Sequence, residues 1–220
     1  MRDLQLLQLF QLFDSQFPVG AFAHSGGLET YGQAGAGVEE LRQILGAQIR
    51  SGWGRAELAA ASLAWNAAGR GDSQALARLA TLVTAHKTIP SVNETSIRLG
   101  RRTLTLLKRL HPHTFSSIAI DPPHQALVIG VAGHVLALPL REVLVGYAHS
   151  LVAASVATAT RCMSISPAQG QEIIVDLQPA LGAAVARAVE AVEDDLFTCT
   201  PALDIRCHQQ GTLRTRLFQS

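Results

Sequence analysis

Apolar side chains recur at helical spacing along most of this 220-residue chain. The pattern is clearest in two segments, at Leu41, Ile44, Leu45 and Ile49 and again at Leu76, Leu79, Ala80 and Val83. Asp72 precedes the second segment and is a typical N-cap residue. Residues 28–33 and 94–110 also fit helices. The pattern therefore predicts an all-α, single-domain helical bundle of about 8–10 helices over residues 1–220.

Further stretches predict how the bundle is built. Residues 4–13 are apolar nearly all round, which favours a buried, central first helix. Residues 124–138 and 142–160 are rich in Ala, Val and Gly, so they predict closely packed helices in the bundle interior or at a dimer interface. Residues 111–123 hold three prolines and predict a loop. Pro179 separates two helices that we predict at 169–177 and 181–196.

A dense group of helix breakers interrupts the pattern near the start of the chain. Pro18, Gly20, Gly26 and Gly27 fall within residues 17–29, between two predicted helices. Proline fixes its own φ, and glycine tolerates backbone angles that a side chain forbids. This segment therefore predicts a loop of defined shape.

The end of the chain departs from the helical pattern. Residues 198–220 contain Pro201, Gly211 and several arginines but only scattered apolar residues. This composition predicts a tail that lies over the surface or reaches a partner.

Composition limits the classes of partner. Hydrophobic residues make up 48% of the chain and charged residues 16%, so some apolar surface is expected to meet another protein. A net charge of +1 argues against nucleic acid and anionic membranes as partners. The N-terminus lacks an export pattern and residues 126–138 are too short to span a membrane, so we expect a cytoplasmic protein. One basic face, either solvated or a binding stripe, is formed by Arg98, Arg101, Arg102, Lys108 and Arg109.

The loop carries the first candidate catalytic pair, His24 and Ser25. Adjacent residues rarely point at each other, and no Gly-x-Ser-x-Gly motif surrounds Ser25. We therefore favour a structural role, in which Ser25 caps the next helix and His24 bonds loop carbonyls. The loop also lacks the Lys-Ser/Thr pair of a phosphate-binding loop and follows a helix where a dinucleotide fold needs a strand.

Cysteine and histidine pairs give the second candidate site. His111 with His113 and Cys207 with His208 are the close pairs, and neither has the further ligands of a metal site nearby in the sequence. Three cysteines form no disulfide framework. A small hydrolase or metalloenzyme that uses His24/Ser25 or Cys207/His208 stays open as an alternative, as does a generic helical oligomerisation module.

We call residues 17–29 the breaker loop. This loop resembles a motif of the UreF family of urease accessory proteins, approximately Leu-Pro-Val-Gly-Gly-Phe-Ser-His-Ser-x-Gly-Leu-Glu. The matching residues are Pro18, Val19, Gly20, Phe22, His24, Ser25, Gly27, Leu28 and Glu29. The departures are Phe17, Ala21 and Ala23. They are small enough to keep the loop shape.

Later stretches extend the resemblance over nearly the whole chain. Residues 96–102 are similar to the family's mid-chain helix, and Arg161 with Gly170-Gln171 is similar to its Arg…Asp-Gly-Gln region. His124, Val128 and Gly130 fit its His-Tyr-x-x-Val-x-Gly segment. The terminal Arg-Leu-Phe-x-Ser matches at Arg216, Leu217, Phe218 and Ser220, whereas Gln210, Gly211 and Arg214 replace the family's His, Glu and Tyr.

The resemblance implies a dimeric, non-catalytic chaperone that bridges a UreG-type GTPase and a UreD/UreH-type scaffold during nickel insertion into apo-urease. It implies no cofactor for this chain, because the complex handles the nickel. The loop is expected to engage the GTPase and the tail at 198–220 to dock the scaffold. The implied partner-binding residues are Pro18, Gly20, His24, Ser25, Gly27, Leu28, Glu29, His124, Gly130, Arg216, Leu217, Phe218 and Ser220.

Overall fold

Eleven α-helices and one 3-10 turn, with no strand, make up the regular structure of residues 3–20, 24–213 and 215–218, the residues that this computed structural model describes. The helices are α1 (Asp3–Leu12), α2 (Leu28–Gln33), α3 (Val38–Ser51), α4 (Trp53–Gly69), α5 (Ser73–His86), α6 (Pro90–Leu110), α7 (Pro112–Phe115), α8 (Gln125–Val135), α9 (Leu140–Cys162), α10 (Pro167–Val189) and α11 (Pro201–Gln210). The all-α prediction is confirmed. Two helices of six residues or fewer bring the number above the predicted range.

Helix α8 lies at the centre of the bundle, and its residues 126–133 are all buried. It packs on the alanine-rich face of α4, where Ala61 and Ala64 are fully buried. A methyl group at Gly130 would lie 2.1 Å from the carbonyl oxygen of Ala61, so only glycine permits this approach of the two backbones. Of the two predicted places for this small-residue segment, the bundle interior or a dimer interface, the structure shows the bundle interior.

Helices α6, α9 and α10 enclose α8 and α4. Gly100 of α6 sits so close to the Pro123 carbonyl that an added methyl group would overlap it. Gly170 of α10 lets Val156 of α9 approach in the same way. By length and composition α9 could cross a membrane, although 44% of its most apolar stretch is buried in the bundle. A single helix of this kind is weak support for a membrane span, since core helices pass the same test.

The first helix is not central, so that prediction was wrong. Leu4, Leu7 and Phe10 are 64–66% exposed, and Leu12 is the buried residue of α1. Contact with the body is made by Leu9 and by Phe13, which follows α1 and stacks on Tyr147 with ring centroids 6.4 Å apart. An apolar sequence predicts burial only if another element covers each face, and in the described part of the chain one side of α1 has no such cover.

Helix α10 runs through Pro179, so the predicted break there was also wrong. Proline removes one backbone N–H and disfavours helix, yet the buried Leu177 and Leu181 on either side tie both halves to the core. The helix ends at Val189, and the remainder of the predicted second helix contains a 3-10 turn at Glu193–Asp195.

Other predictions from local sequence signals were correct in part. Asp72 caps α5, because its Oδ1 accepts a hydrogen bond from the Ala75 N–H at 2.8 Å. Helix α2 has the predicted bounds. The predicted loop at 111–123 contains the one-turn helix α7, which begins at Pro112, a residue favoured in the first turn.

Candidate functional site

The breaker loop and the tail, which are far apart in sequence, pack against each other. Gly20, Gly26 and Gly27 have φ values of 81°, 55° and 87°, in the left-handed region that glycine tolerates. A methyl group at Gly27 would also lie 3.0 Å from the sulfur of Cys207 on α11. The described residues of the loop therefore adopt the glycine-dependent backbone angles that we predicted, and at Gly27 the absence of a side chain makes room for the tail. Ala21, Phe22 and Ala23 lie outside the described residues.

Hydrogen bonds join the start of α2 to the tail. Glu29, only 2% exposed, accepts from the backbone N–H of Leu217 at 2.5 Å and from the side-chain amide of Gln210 at 3.4 Å. The Gln210 oxygen in turn accepts from the Gly27 N–H at 3.3 Å. Buried polar groups that satisfy one another in this way favour a single arrangement of their elements. We call this set of contacts the loop–tail joint.

Further contacts extend the joint along both sides of α2. Thr30 donates to the Arg206 carbonyl at 3.0 Å, and the Arg206 guanidinium lies 5.1 Å from the ring centre of Tyr31. Near the end of the chain, Phe218 is 4% exposed and lies beneath the guanidinium of Arg161 at 4.7 Å. The tail thus lies over the surface, the first of the two predicted alternatives, and a buried aromatic ring anchors it there. The sequence pattern did not predict that residues 201–210 form a helix, α11.

A positively charged surface adjoins the loop. Arg102 of α6 donates to the Val19 carbonyl at 3.3 Å, and the neighbouring Arg101 is exposed. His24 faces the same helix, with its Nδ1 3.4 Å from the Thr95 hydroxyl. Burial, followed by repulsion from Arg98 and Arg102, lowers the pKa of His24 from 6.5 to about 4. The loop therefore presents a neutral histidine beside exposed arginines at neutral pH.

A second polar cluster lies inside the body. His124, fully buried, contacts the Thr84 hydroxyl at 2.9 Å and the Ser96 hydroxyl at 3.1 Å. Burial, together with repulsion from Lys87, lowers its pKa from 6.5 to about 4, although Glu57 acts in the opposite direction. These contacts tie α5, α6 and the start of α8 together.

An ion pair completes this cluster. Lys87 binds Glu57, and the Tyr147 hydroxyl donates to the same carboxylate at 3.2 Å. Burial opposes ionisation of Glu57, but attraction to Lys87 and the two hydrogen bonds hold its pKa below the ordinary value. Burial and the neighbouring carboxylate raise the pKa of Tyr147 well above 10.0. Glu57 is therefore ionised and Tyr147 is a hydrogen-bond donor.

The predicted site residues fall into three groups. Pro18, Arg216 and Leu217 are exposed, and Gly20 and His24 are partly exposed. The buried group is Ser25, Gly27, Leu28, Glu29, His124, Gly130 and Phe218. Ser220 lies outside the described residues. The structure brings the loop residues and the tail residues together, whereas His124 and Gly130 lie in the core.

The predicted role of Ser25 as the side-chain cap of α2 was wrong. Gly27 occupies the N-cap position of α2, and Ser25 contributes its backbone carbonyl, which accepts from the Leu28 N–H at 3.1 Å. The Ser25 hydroxyl has no hydrogen-bond partner among the described residues. The Nδ1 of His24 contacts the Thr95 hydroxyl. That His24 bonds loop carbonyls stays a prediction.

The arrangement does not favour the hydrolase alternative. No base contacts the Ser25 hydroxyl in the described part of the chain. Burial raises the pKa of the Cys207 thiol to about 11, so it stays protonated and weakly nucleophilic at neutral pH. Across the described residues, no three His, Cys, Asp or Glu side chains come together in a way that could hold a metal ion.

Sequence reasoning missed Gln210, Thr30 and the Glu57–Lys87 pair. Gln210 stood out only as a departure from the family pattern, yet its amide bridges the loop and α2. The Glu57–Lys87 contact joins two residues that are 30 positions apart in the sequence, and the hydrophobic pattern does not indicate it. Such contacts depend on tertiary structure, so no local signal could have found them.

Comparison with known proteins gives one consistent match. A family model described as UreF matches residues 36–178. A urease accessory protein UreF from Picosynechococcus sp. is 30% identical over 226 residues, covering 99% of this chain and 100% of the relative. A relative of the same name from Bacillus sp. is 30% identical over 98% of this chain and 99% of its own length. Another from Nostoc sp. is 27% identical over 100% of this chain and 98% of its own length.

Proposed function

Because this chain belongs to the UreF family, we propose that it is a urease accessory protein that acts as a non-catalytic adaptor in nickel insertion. In this proposal it holds a UreG-type GTPase and a UreD/UreH-type scaffold together in a complex with apo-urease. The single observation that carries the proposal is the loop–tail joint, in which Glu29 fixes the position of the tail relative to the loop. An adaptor needs such a joint, since two partners can be held in register only if their binding elements are rigidly related.

The scaffold side of the proposal rests on exposed apolar residues of the tail. Leu217 is 65% exposed although its backbone N–H is held by Glu29, and Ile205 on α11 is 57% exposed. Apolar side chains on an ordered segment bind partners with little loss of conformational entropy. We therefore assign scaffold docking to the exposed surface of the tail that carries Ile205 and Leu217.

The GTPase side rests on the loop and the charged helix beside it. Pro18 and Arg101 are exposed, and Arg102 links α6 to the loop through the Val19 carbonyl. Arginine is favoured at protein interfaces because its guanidinium can form several hydrogen bonds at once. Buried residues such as His124 and Gly130 would affect partner binding only by maintaining the body that carries these surfaces.

Two charge-changing variants test the two sides separately. Leu217→Lys should weaken capture of the scaffold at least about tenfold and leave GTPase capture intact, while Arg101→Glu should do the reverse. Val175→Lys, at a 59% exposed apolar position on α10, is the matched control and should affect neither. The assignment would be contradicted if either variant lost both partners, or if both variants still captured both partners.

A cellular test addresses the function as a whole. Cells that lack their own copy of this accessory protein should regain urease activity when this chain is expressed with its cognate partners. The Leu217→Lys and Arg101→Glu variants should restore little activity, and Val175→Lys should restore it fully. Full restoration by all three variants would show that neither surface is used.

The proposed complex contains two copies of this chain, and α9 offers a surface for their contact. Val145 is 50% exposed, and Ala153 and Ala157 on the same helix are partly exposed. Small side chains permit two helices to approach closely, as in many symmetric dimers. Sedimentation equilibrium should give the mass of a dimer for the wild type and a shift toward monomer for Val145→Lys. A wild-type monomer at all concentrations would contradict the homodimer.

A further inference from the structure

The basic face of residues 98–109 covers the side of α6 that is turned away from the core. The buried residues of this helix are Ser96, Gly100, Thr103 and Leu107. Because a helix turns once in about 3.6 residues, the opposite side presents five cations within about 16 Å of helix, namely Arg98, Arg101, Arg102, Lys108 and Arg109. Arg101, Arg102 and Arg109 are exposed, and the other two are partly exposed.

No acidic residue offsets these charges in this part of the sequence. Asp and Glu are absent from residues 95–120, although the chain as a whole has a net charge of only +1. Five of its 18 Lys and Arg residues lie on the basic face, which leaves 13 against 17 Asp and Glu elsewhere, a net charge of −4. Each ion pair among the described residues uses a cation outside this face. The positive charge is therefore concentrated on one side of one helix.

Fold stability does not account for the whole of the basic face. Lys108 and Arg109 lie in the last turn of α6, where the helix dipole favours positive charge. Arg102 holds the loop through the Val19 carbonyl. Arg101, by contrast, forms no hydrogen bond or ion pair with a described residue.

Repulsion between the arginines is a cost to the isolated chain. Arg98 precedes Arg101 and Arg102 by three and four residues, and like charges at these spacings repel each other on a helix. Their field also reaches the loop, where burial and then repulsion from Arg98 and Arg102 lower the pKa of His24 to about 4. Negative charge on a bound partner would relieve this repulsion.

A carboxylate-rich protein surface fits this face better than a nucleic acid or an anionic membrane does. The guanidinium group can donate two parallel hydrogen bonds to one carboxylate. A polyanion or a charged membrane extends far beyond a face of about 16 Å and would also meet the rest of the chain, which is net negative. A protein can instead place a small acidic patch opposite the five cations.

We propose that the basic face, together with the adjoining part of the breaker loop, binds an acidic surface of the GTPase and that this attraction speeds their association. The inference rests on the proposed function, which assigns the GTPase to this side of the molecule, and it adds the chemistry by which that partner is recognised. Complementary charges attract two proteins before they touch, so they act more on the rate of association than on the rate of dissociation.

Stopped-flow mixing of the full chain with its cognate GTPase tests the proposal. Raising NaCl from about 50 to about 500 mM should slow association at least about tenfold and change dissociation much less, because salt shortens the range of the attraction. Equal association rates at both salt concentrations would overturn this inference but leave the adaptor function standing, since the GTPase would still bind. Absence of binding at either concentration would contradict both.

A neutralising variant locates the effect. Arg101→Gln should slow association about two- to threefold at low salt and reduce its salt dependence. Its thermal midpoint should stay the same or rise by about 1 °C, because one repulsive pair is lost. Arg50→Gln, at an exposed position on α3, removes the same charge elsewhere and should keep the wild-type rate.

Three results with these proteins would contradict the proposal. A thermal midpoint several degrees lower in Arg101→Gln would show that this arginine stabilises the fold. Equal slowing in Arg50→Gln would show that net charge, and not the basic face, sets the association rate. Short duplex DNA, or vesicles of phosphatidylserine and phosphatidylcholine in equal amounts, should not bind at about 150 mM NaCl. Binding of either as tightly as the GTPase would assign the face to a different class of partner.

Discussion

The carboxylate of Glu29 accepts a hydrogen bond at 2.5 Å from the backbone N–H of Leu217, which lies 188 residues further along the chain. The same side chain accepts from Gln210, so one buried residue holds both α11 and the segment that follows it. Leu217 itself remains 65% exposed. The joint thus fixes the tail backbone while leaving an apolar side chain available at the surface.

Replacing Glu29 should release the tail. In Glu29→Ala the Leu217 N–H and the Gln210 amide lose their acceptor, so we expect the free energy of unfolding to fall by about 1–3 kcal/mol. Glu29→Gln keeps an acceptor oxygen and should lower the free energy of unfolding by less. Urea denaturation measures the first effect, and faster tryptic cleavage after Arg206 reports the released tail. The exposed Glu172→Ala is the control and should change neither quantity.

The buried ion pair gives a second prediction. The Lys87 and Glu57 side chains are 13% and 14% exposed, so removing one partner leaves a charge with little water around it. We expect Glu57→Gln or Lys87→Met alone to lower the free energy of unfolding by about 3–5 kcal/mol. The double variant should recover much of this loss, because no unpaired charge remains. Strictly additive losses in urea denaturation would show that the two residues are not coupled.

The sequence predicted those elements whose signals are local. Helix α2 and the Asp72 cap depend on residues within a few positions of each other, and both were predicted correctly. The run of small and apolar residues at 124–138 predicted close packing, either in the bundle interior or at a dimer interface, and burial of residues 126–133 places α8 in the interior. The conformation of the loop followed from glycines that adopt positive φ.

The errors arose where tertiary contacts override local preference. Pro179 would end an isolated helix, but burial on both sides outweighs the loss of one hydrogen bond. Apolar residues along α1 predicted burial, yet a pattern cannot tell whether another helix covers each face. Gln210 contacts Glu29 across 181 residues, so its role in the candidate site could be found only from the structure.

Stability should fall as the pH is lowered below neutrality because His124 is buried in its neutral form. Its pKa is about 4 in the folded protein and near 6.5 when unfolded, so the unfolded chain binds more protons between these values. The stabilisation is complete above pH 6.5 and is lost as the pH falls toward 4. The slope should be about 1.4 kcal/mol per pH unit for one proton. Urea denaturation from pH 7.5 to 4.5 measures it.

Two histidines contribute to the pH dependence of stability between pH 4 and 6.5, and their contributions can be measured separately. The pKa of His24 is also lowered to about 4, so the wild-type slope should approach that of two protons. His124→Gln and His24→Gln should each reduce the slope by about one proton, whatever their effect on stability at pH 7.5. The exposed His113→Gln is the control and should keep the wild-type slope. An unchanged slope in His124→Gln would contradict burial of the neutral ring.

Two glycines on helices provide the sharpest test of the close packing at the centre of the bundle. In Gly130→Ala the new methyl group would lie 2.1 Å from the Ala61 carbonyl, so α8 and α4 must separate and the free energy of unfolding should fall by about 1–3 kcal/mol. Gly182→Ala on α10 meets no neighbour within 4 Å and should raise it by up to about 1 kcal/mol. Urea denaturation gives both values. If Gly130→Ala kept wild-type stability but lost capture of the GTPase or the scaffold, Gly130 would act in partner contact and not in helix packing.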